Sequence, residues 1–536
     1  MRLSIILLIS LIFVAGIAFA QKPWVQWHHL DPLTDKTIGI STNRAYQLLQ
    51  TLPKPKTPVI VAVIDGGVDT NHEDLKSLIW TNPRELVDNG RDDDRNGYID
   101  DIHGWNFLGL KDGRTLAFLQ KEETRLYARL QPLFETKGST ASQPRELALW
   151  KVVKPYFESR QAGYKQSYTV DSRFLAQDSA TIAQLKQVFG VTRIDTALLH
   201  HPPTSDTTLI KQAQAFYQGM LMRGYANQDL DSYQRGHQRV NSRLKTRVNY
   251  AYNLQYFPPA TDAKPANLTE RGYGNADVIG GYTETGTWHG THVAGIIAAD
   301  RTNTLGVQGI ADRVQIMSLV ATPDGDERDK DVANAIRYAV DNGAQIINMS
   351  FGKYFSPEQS VVDDAIRYAG QKGVLLVHVA GNDQIDLDSA RMYPSPLFLN
   401  GQQVPNLITV GASDRSNDSS LVGEFSNYGK RTVDVFAPGV LIESTTPKNT
   451  YEPGSGTSMA TPVVAGMAAV LKSYFPMLTP VDLKRIILQS AVVYHTPVLK
   501  PGTKQTVDFA SLSKTGAIVN LYEAVKLALS ERGSKK

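Results

Sequence analysis

Three segments of this 536-residue chain, far apart in sequence, hold the residue types that a hydrolytic site needs. Ile64-Asp65-Gly66-Gly67-Val68-Asp69 closes an apolar β-branched run with a carboxylate and two glycines, so a buried strand delivers Asp65 to its end and the chain turns away sharply. His289-Gly290-Thr291-His292-Val293-Ala294-Gly295-Ile296 sets a histidine at the start of an apolar helix whose small residues allow close packing. Gly456-Thr457-Ser458-Met459-Ala460-Thr461-Pro462 opens a second small-residue helix with a serine, and Pro462 falls in its first turn. A serine hydroxyl is a weak nucleophile at neutral pH. It needs a base within hydrogen-bond reach and a carboxylate that fixes the tautomer of that base. Asp65, His289 and Ser458 supply the three roles, in the chain order Asp, His, Ser.

The elements that must position these residues follow from the apolar pattern. Val59-Ile60-Val61-Ala62-Val63-Ile64 is a continuous apolar run of the kind buried on both faces of a parallel sheet. The same texture recurs at Gln345 to Met349, Val374 to Val379, Leu407 to Val410 and Val433 to Phe436. Helical patterns alternate with these runs, at Asp331 to Asn342 and at Pro357 to Lys372, the latter with Ser356 as expected N-cap and Gly373 as stop. Strand alternating with helix predicts an α/β fold, a doubly wound and mainly parallel sheet flanked by helices. Between Gly109 and Gly272 the texture turns polar and aromatic, with Leu116, Leu119, Leu126, Leu130 and Leu133 at helical spacing. This predicts a mainly helical insertion over 110–271, which splits a catalytic domain into 58–109 and 272–536. Residues 111–270 carry 22 Lys and Arg against 14 Asp and Glu, a surplus of eight.

All three chemical motifs, in order and in local sequence, resemble the subtilisin-like serine peptidases, the subtilase family. The resemblance covers residues 58 to about 107 and 272 to about 492. It implies a subtilisin-like fold and an exported serine endopeptidase that cleaves peptide bonds through an acyl-enzyme. Polypeptides are then the substrates, and no cofactor takes part in the chemistry. His289, not His292, aligns with the family's catalytic histidine, which leaves His292 structural; His72 reads as a structural or cleft-rim residue. Val379-Ala380-Gly381-Asn382-Asp383 is similar to the family's oxyanion-hole loop, which assigns that role to Asn382; a tetrahedral intermediate does need a preorganised amide donor. The resemblance also implies that Ser350, Phe351 and Gly352, with Val379, Ala380 and Gly381, line the substrate cleft. Two other readings stay open. One is an esterase with a nucleophile elbow at Gly456 to Ala460 followed by Asp482 and His495, although Ala460 stands where that elbow needs glycine. The other is a binding protein that keeps the fold without turnover.

Asp92-Asp93-Asp94-Arg95-Asn96-Gly97-Tyr98-Ile99-Asp100-Asp101 concentrates five carboxylates in ten residues. Asp92, Asp94 and Asn96 followed by Gly97 match the first half of an EF-hand loop, but His103 stands at the twelfth position, where the full motif has Glu. Asp92, Asp94, Asn96, Tyr98, Asp100 and Asp101 are the candidate ligands for a structural calcium ion. A solvated acidic turn is the competing reading.

Composition narrows the classes further. The chain has no cysteine, which excludes thiol catalysis, cysteine-held metals and disulfides. With 42% hydrophobic and 20% charged residues it folds, and a net charge of +3 gives no bulk attraction to nucleic acid. Arg2, an apolar run from Leu3 to Ala20 and a small-residue ending at Ala18-Phe19-Ala20 predict a secretory signal peptide cut after Ala20. The expected product is periplasmic or extracellular, holds no stable membrane anchor after cleavage, and starts with a 21–57 segment too short for a folded inhibitory propeptide.

Overall fold

The protein is described by a computed structural model over residues 26–87, 89–135, 144–222, 230–259, 267–280 and 286–534; the expected signal peptide lies outside these residues. The strands are β1 (Val59–Asp65), β2 (Gly104–Asn106), β3 (Val314–Val320), β4 (Ile346–Met349), β5 (Leu375–Val379), β6 (Leu407–Ser413), β7 (Val435–Pro438), β8 (Ile442–Thr446), β9 (Thr450–Gly454), β10 (Val492–Val493), β11 (Pro497–Leu499), β12 (Thr506–Asp508) and β13 (Ala517–Ile518). Nine of them form one sheet in the order β10-β13-β7-β6-β5-β4-β1-β3-β2. It is parallel throughout except at the β10–β13 edge. The β8–β9 and β11–β12 pairs stand apart from it as antiparallel hairpins.

The helices are α1 (Thr42–Leu49), α2 (Glu122–Phe134), α3 (Pro144–Phe189), α4 (Thr196–His200), α5 (Thr207–Met222), α6 (Leu230–Thr246), α7 (Gly286–Ala298), α8 (Asp329–Asp341), α9 (Gln359–Gln371), α10 (Thr457–Tyr474), α11 (Pro480–Gln489) and α12 (Leu521–Ser534). Alternation along β1 shows how they cover the sheet. Val61 and Val63 enter a core with residues of α7, α10, α11 and α12, whereas Ala62 and Ile64 enter a second core with residues of α8 and α9. Both faces of the strand are therefore dry, which is why its sequence is apolar without a break.

Several details depart from the sequence reading. Strand β3 went unrecognised because Gln315 and Ser318 interrupt its apolar run; Ser318 is buried and satisfied by donating to Val278 O at 2.9 Å. Ser356 does not cap α9. Its hydroxyl donates to Asp329 Oδ1 at 2.9 Å, and the helix starts at Gln359 after Glu358. The leucine series of the insertion is helical only from Glu122: Leu116 and Leu119 pack from an extended segment against Leu108 and Val320, and Leu133 is exposed.

Residues 26–57 are built into the body: Trp27, Ile40, Ala45 and Leu49 belong to the core under α12, and Leu521 N–H donates to Ile40 O at 2.8 Å. The insertion is helical, as expected, and closes on itself where Lys121 N–H and Thr124 Oγ1 both donate to Ala251 O, at 2.9 and 2.7 Å.

Candidate active site

Asp65 ends β1, where its carboxylate is buried. Gly67 lets the chain leave at once, with φ of +118° and no room for a side chain: a Cβ there would lie 2.0 Å from Ile279 O. On the other side of the turn, α7 comes so near that a Cβ on Gly290 would sit 2.1 Å from Gly67 O and 3.2 Å from the Asp65 Cβ. That approach brings the neighbouring His289 onto the carboxylate. Its Nδ1 lies 2.8 Å from Asp65 Oδ1 and 2.9 Å from Oδ2, an arrangement that leaves Nε2 as the free ring nitrogen.

Ser458 is the second residue of α10. Its hydroxyl donates to Ser350 O at 3.1 Å, while the Ser350 hydroxyl donates to Ser458 O at 3.0 Å. No hydrogen bond joins Ser458 to His289 among the described residues; α7 and α10 pack side by side. Asn382 follows β5, and its Oδ1 accepts from Thr457 N–H at 2.9 Å and from Thr457 Oγ1 at 3.0 Å. Those two bonds fix the amide so that Nδ2, the donor end, is left for another partner; it lies 3.5 Å from where a Cβ on Gly456 would stand. Of the N–H groups that open α10, that of Gly456 donates to Gly439 O, that of Thr457 to Asn382 Oδ1 and that of Met459 to Gly456 O, which leaves the Ser458 N–H as the donor beside the hydroxyl.

The expected cleft residues sit at the ends of adjacent parallel strands. Ser350, Phe351 and Gly352 follow β4, and Val379, Ala380 and Gly381 end or follow β5. Phe351 O is held by His378 Nε2 at 2.8 Å, and Gly381 N–H donates to Thr457 Oγ1 at 3.1 Å. Met392 lies between the two segments, its Cε within 2.6 Å of a Cβ on Gly352 and 3.0 Å of one on Gly381. A cavity of about 350 Å³ begins behind Met392, but Asp65, His289 and Ser458 do not line it.

His292 is buried and its Nε2 meets Glu452 O at 3.0 Å; desolvation lowers its pKa to about 3, so it stays neutral. His72 is also buried, bonded to Thr450 O and accepting from Asp74 N–H. Sequence reasoning missed the polar groups that frame the site. Trp288, beside His289, donates to Glu452 Oε2 at 2.9 Å, and the same oxygen pairs with Arg239 of α6. Asp383, beside Asn382, accepts from Arg160 of α3 at 3.2 Å and from Tyr354 at 2.6 Å. The insertion is thus tied to the sheet domain on two sides of the site, through pairs more than 200 residues apart that no local pattern announces.

In the acidic loop the structure gathers Glu85, Asp92 and Asp94, whose oxygens lie within 4.8 Å of one another. Glu85 was not among the expected ligands. Asp100 accepts instead from Asn89 and Gly90 N–H at 3.1 and 2.9 Å. Asp101, buried and with its pKa raised mainly by desolvation, accepts from Tyr338, Asn82 and Asn96. Asn96 Oδ1 takes Tyr98 N–H at 2.8 Å, and the Tyr98 ring packs among Trp105, Phe107 and Tyr338.

Comparison with known proteins matches residues 56–517 to the model of the Subtilase family. The thermophilic serine proteinase of Bacillus sp. (strain AK1) is 42% identical over 186 residues, which are 34% of this chain and 42% of that protein. Subtilisin BL of Lederbergia lenta is 36% identical over 211 residues, 39% of this chain and 72% of that one. The chain thus spans less than half the length of the first of these relatives. A solved protease of Pseudoalteromonas arctica PAMC 21717 is 19% identical with a TM-score of 0.46, over 94% of this chain and 98% of that one.

Proposed function

Since the chain belongs to the subtilase family, we propose that it is an exported serine endopeptidase whose Asp65, His289 and Ser458 form the catalytic triad. The observation that carries this reading is the clasp of His289 Nδ1 by both oxygens of a buried Asp65, which keeps the proton on Nδ1 and makes Nε2 the base. Ser458 Oγ bonds to the substrate carbonyl carbon as its proton passes to His289 Nε2. The resulting oxyanion is held by Asn382 Nδ2 and the Ser458 backbone N–H, donors already fixed before substrate arrives. His289 then returns the proton to the leaving nitrogen as the C–N bond breaks, and water repeats the sequence to release the acyl group. Ser350 to Gly352 and Val379 to Gly381 hold the substrate backbone in this reading. The test is hydrolysis of a chromogenic peptide and labelling by a serine-reactive phosphonate. Labelling of wild type at Ser458, lost in Ser458→Ala, is expected; a folded protein that neither labels nor cleaves overturns it in favour of a binding protein.

We propose a structural calcium ion held by Glu85, Asp92 and Asp94. Glu85 is 8% exposed and its Oε2 has no hydrogen-bond partner; Arg84 pairs with Asp94 at 3.0 Å, which leaves Glu85 and Asp92 without a counter-charge among the described residues, and a hard cation supplies it. Asp100 and Asp101 serve the loop through their own bonds. Free calcium at 100 times its dissociation constant stabilises the fold by about 2.7 kcal/mol. Equal melting curves of metal-stripped protein with and without calcium would remove this site.

Export rests on residues 1–20, with cleavage after Ala20 and a periplasmic or extracellular product. Among the described residues no helix is long and apolar enough to cross a membrane. Sequencing the N-terminus of secreted protein tests the cleavage position.

A further inference from the structure

Helix α6 and the turn that continues it to Ala251 carry Arg239, Arg243 and Arg247, spaced four residues apart, so the three side chains follow one side of the helix. Contacts at its two ends locate that side. Arg239 ion-pairs with Glu452 and lies 5.9 Å from the ring of Trp288, the residue before His289. At the other end Tyr250 stacks on Phe118 at 4.2 Å, and Phe118 pairs with Asp324 in the segment that leaves β3. That segment borders the triad, because Asp65 pairs with Val320 and its carbonyl accepts from Ala321 N–H at 3.0 Å. The helix therefore runs from the His289 side of the site to the C-terminal end of β3, and Arg243 stands midway, over the crevice at the strand ends.

Arg243 and Arg247 both lack an ion pair among the described residues, and of the two the middle one, Arg243, is exposed while Arg247 is half-buried. Glu452 serves Arg239, and beside Arg247 the buried Asp326 is already paired with Lys121 at 2.6 Å. Arg243 has no hydrogen bond or ion pair among the described residues. It is open to solvent, yet desolvation by the surrounding protein lowers its pKa; Arg239 and Arg247 add repulsion, against which Asp324 attracts. With no partner of its own, the exposed guanidinium is left to water.

Resting on the peptidase reading above, we propose that Arg243 is a specificity-determining residue that receives an Asp or Glu side chain of the bound polypeptide. A carboxylate meets the guanidinium with two parallel charge-assisted hydrogen bonds and relieves the repulsion along the arginine row. A basic side chain at the same subsite would bring a fourth cation to that row, so the site selects against it as strongly as it selects for acid.

The experiment uses peptides of one neutral sequence, with Glu, Gln or Lys placed in turn at each position within four residues of the cleaved bond. Full-length wild type, Arg243→Gln, Arg243→Lys and Arg243→Glu are compared. At one position wild type favours Glu over Gln by about tenfold in kcat/KM, mostly through KM. Arg243→Gln erases that ratio, Arg243→Lys keeps part of it, and Arg243→Glu turns the preference toward Lys. A Glu to Gln ratio near one at every position in an active wild type overturns the inference alone. So does a preference that survives in Arg243→Glu, or a loss in Arg243→Gln that is equal for Glu, Gln and Lys peptides. A wild type that cleaves none of the peptides overturns the peptidase reading itself.

Discussion

His289 in the sheet domain and His237 in the helical insertion both stand beside aspartates, but the two rings are held in opposite ways. His289 has Asp65 on Nδ1 alone, and its side chain keeps 27% exposure on the cleft side. His237, on α6, has Asp171 3.2 Å from Nε2 and Asp178 3.2 Å from Nδ1, both carboxylates coming from α3. Asp171 also accepts from Asn241 at 2.9 Å and Asp178 from Tyr233. Nε2 bonds to Asp171, Nδ1 lies beside Asp178 without a hydrogen bond, and the ring is buried, so His237 joins two helices and has no accessible nitrogen to lend. A histidine beside a carboxylate marks chemistry only where one nitrogen is kept free at a cleft.

The largest effect that tests this contrast is on turnover. His289→Ala and Ser458→Ala should each lower kcat by about 10⁶, with no further loss when combined, because the members act as a unit. His237→Ala should stay within the same order of magnitude as wild type when folded. A similar collapse from both histidine variants, measured on a small chromogenic peptide in protein verified as folded by circular dichroism, would break the contrast. Next in size, Asp65→Asn should cost about 10⁴ in kcat by stabilising the wrong tautomer, whereas Asp171→Asn should leave kcat alone and lower the melting temperature. Equal kcat losses in the two aspartate variants would show that tautomer control is not what separates the sites.

Acid provides a smaller but wider probe. His28, His292 and His378 are buried, and desolvation in the first place lowers their pKa values to about 3, about 3 and about 4. Below the unfolded value of about 6.5 the unfolded chain takes up protons that the folded rings refuse, so stability is lost as pH falls from about 6.5 toward 4. Each ring contributes about 2 kcal/mol of that loss by pH 5. Urea unfolding of Ser458→Ala protein at pH 7 and pH 5 measures it without self-digestion, and a stability independent of pH would contradict the burial of these rings. The smallest expected effect is that of His237→Gln, a loss of about 1 kcal/mol from taking the ring hydrogen bond from Asp171 and the ring from beside Asp178, which Asn241 and Tyr233 continue to serve. An unchanged midpoint would mean that water already serves those carboxylates. Substrate profiling can sharpen the comparison too: Met392→Ala should enlarge the space between Gly352 and Gly381 and raise kcat/KM for bulkier side chains relative to small ones by several-fold.

What could be read in the sequence depended on how local its cause was. Strand β1 was legible because burial on both faces leaves an unbroken apolar run, and the runs read for β4, β5 and β6 because the apolar residues outnumber the single polar one inside each strand, Asn348, His378 and Thr409, whereas β3 carries two. The three chemical motifs were legible because strand end, sharp turn and helix start are encoded within a few residues of Asp65, His289 and Ser458. Ser356 misled because the acceptor of its hydroxyl, Asp329, lies 27 positions earlier and outbids the helix terminus. Glu85 was invisible as part of the acidic cluster because it lies outside the Asp-rich run and enters by folding back, its Oε1 accepting from Asp93 and Asp94 N–H at 2.9 and 3.1 Å. Arg239 and Arg160 could not be assigned partners at all, since helical periodicity gives the face of a helix but not what lies opposite.

The paired hydrogen bonds between Ser350 and Ser458 set the resting clock of the site. With its proton turned toward Ser350 O, the Ser458 hydroxyl must rotate about a single bond before His289 can accept that proton. Such rotations take picoseconds to nanoseconds, against roughly milliseconds to a second for a typical enzymatic turnover. The swivel therefore adds no delay to a catalytic cycle. It sets instead where the proton of an idle site rests, so a reagent too small to fill the cleft meets an Oγ whose proton is directed at Ser350 O and not at His289.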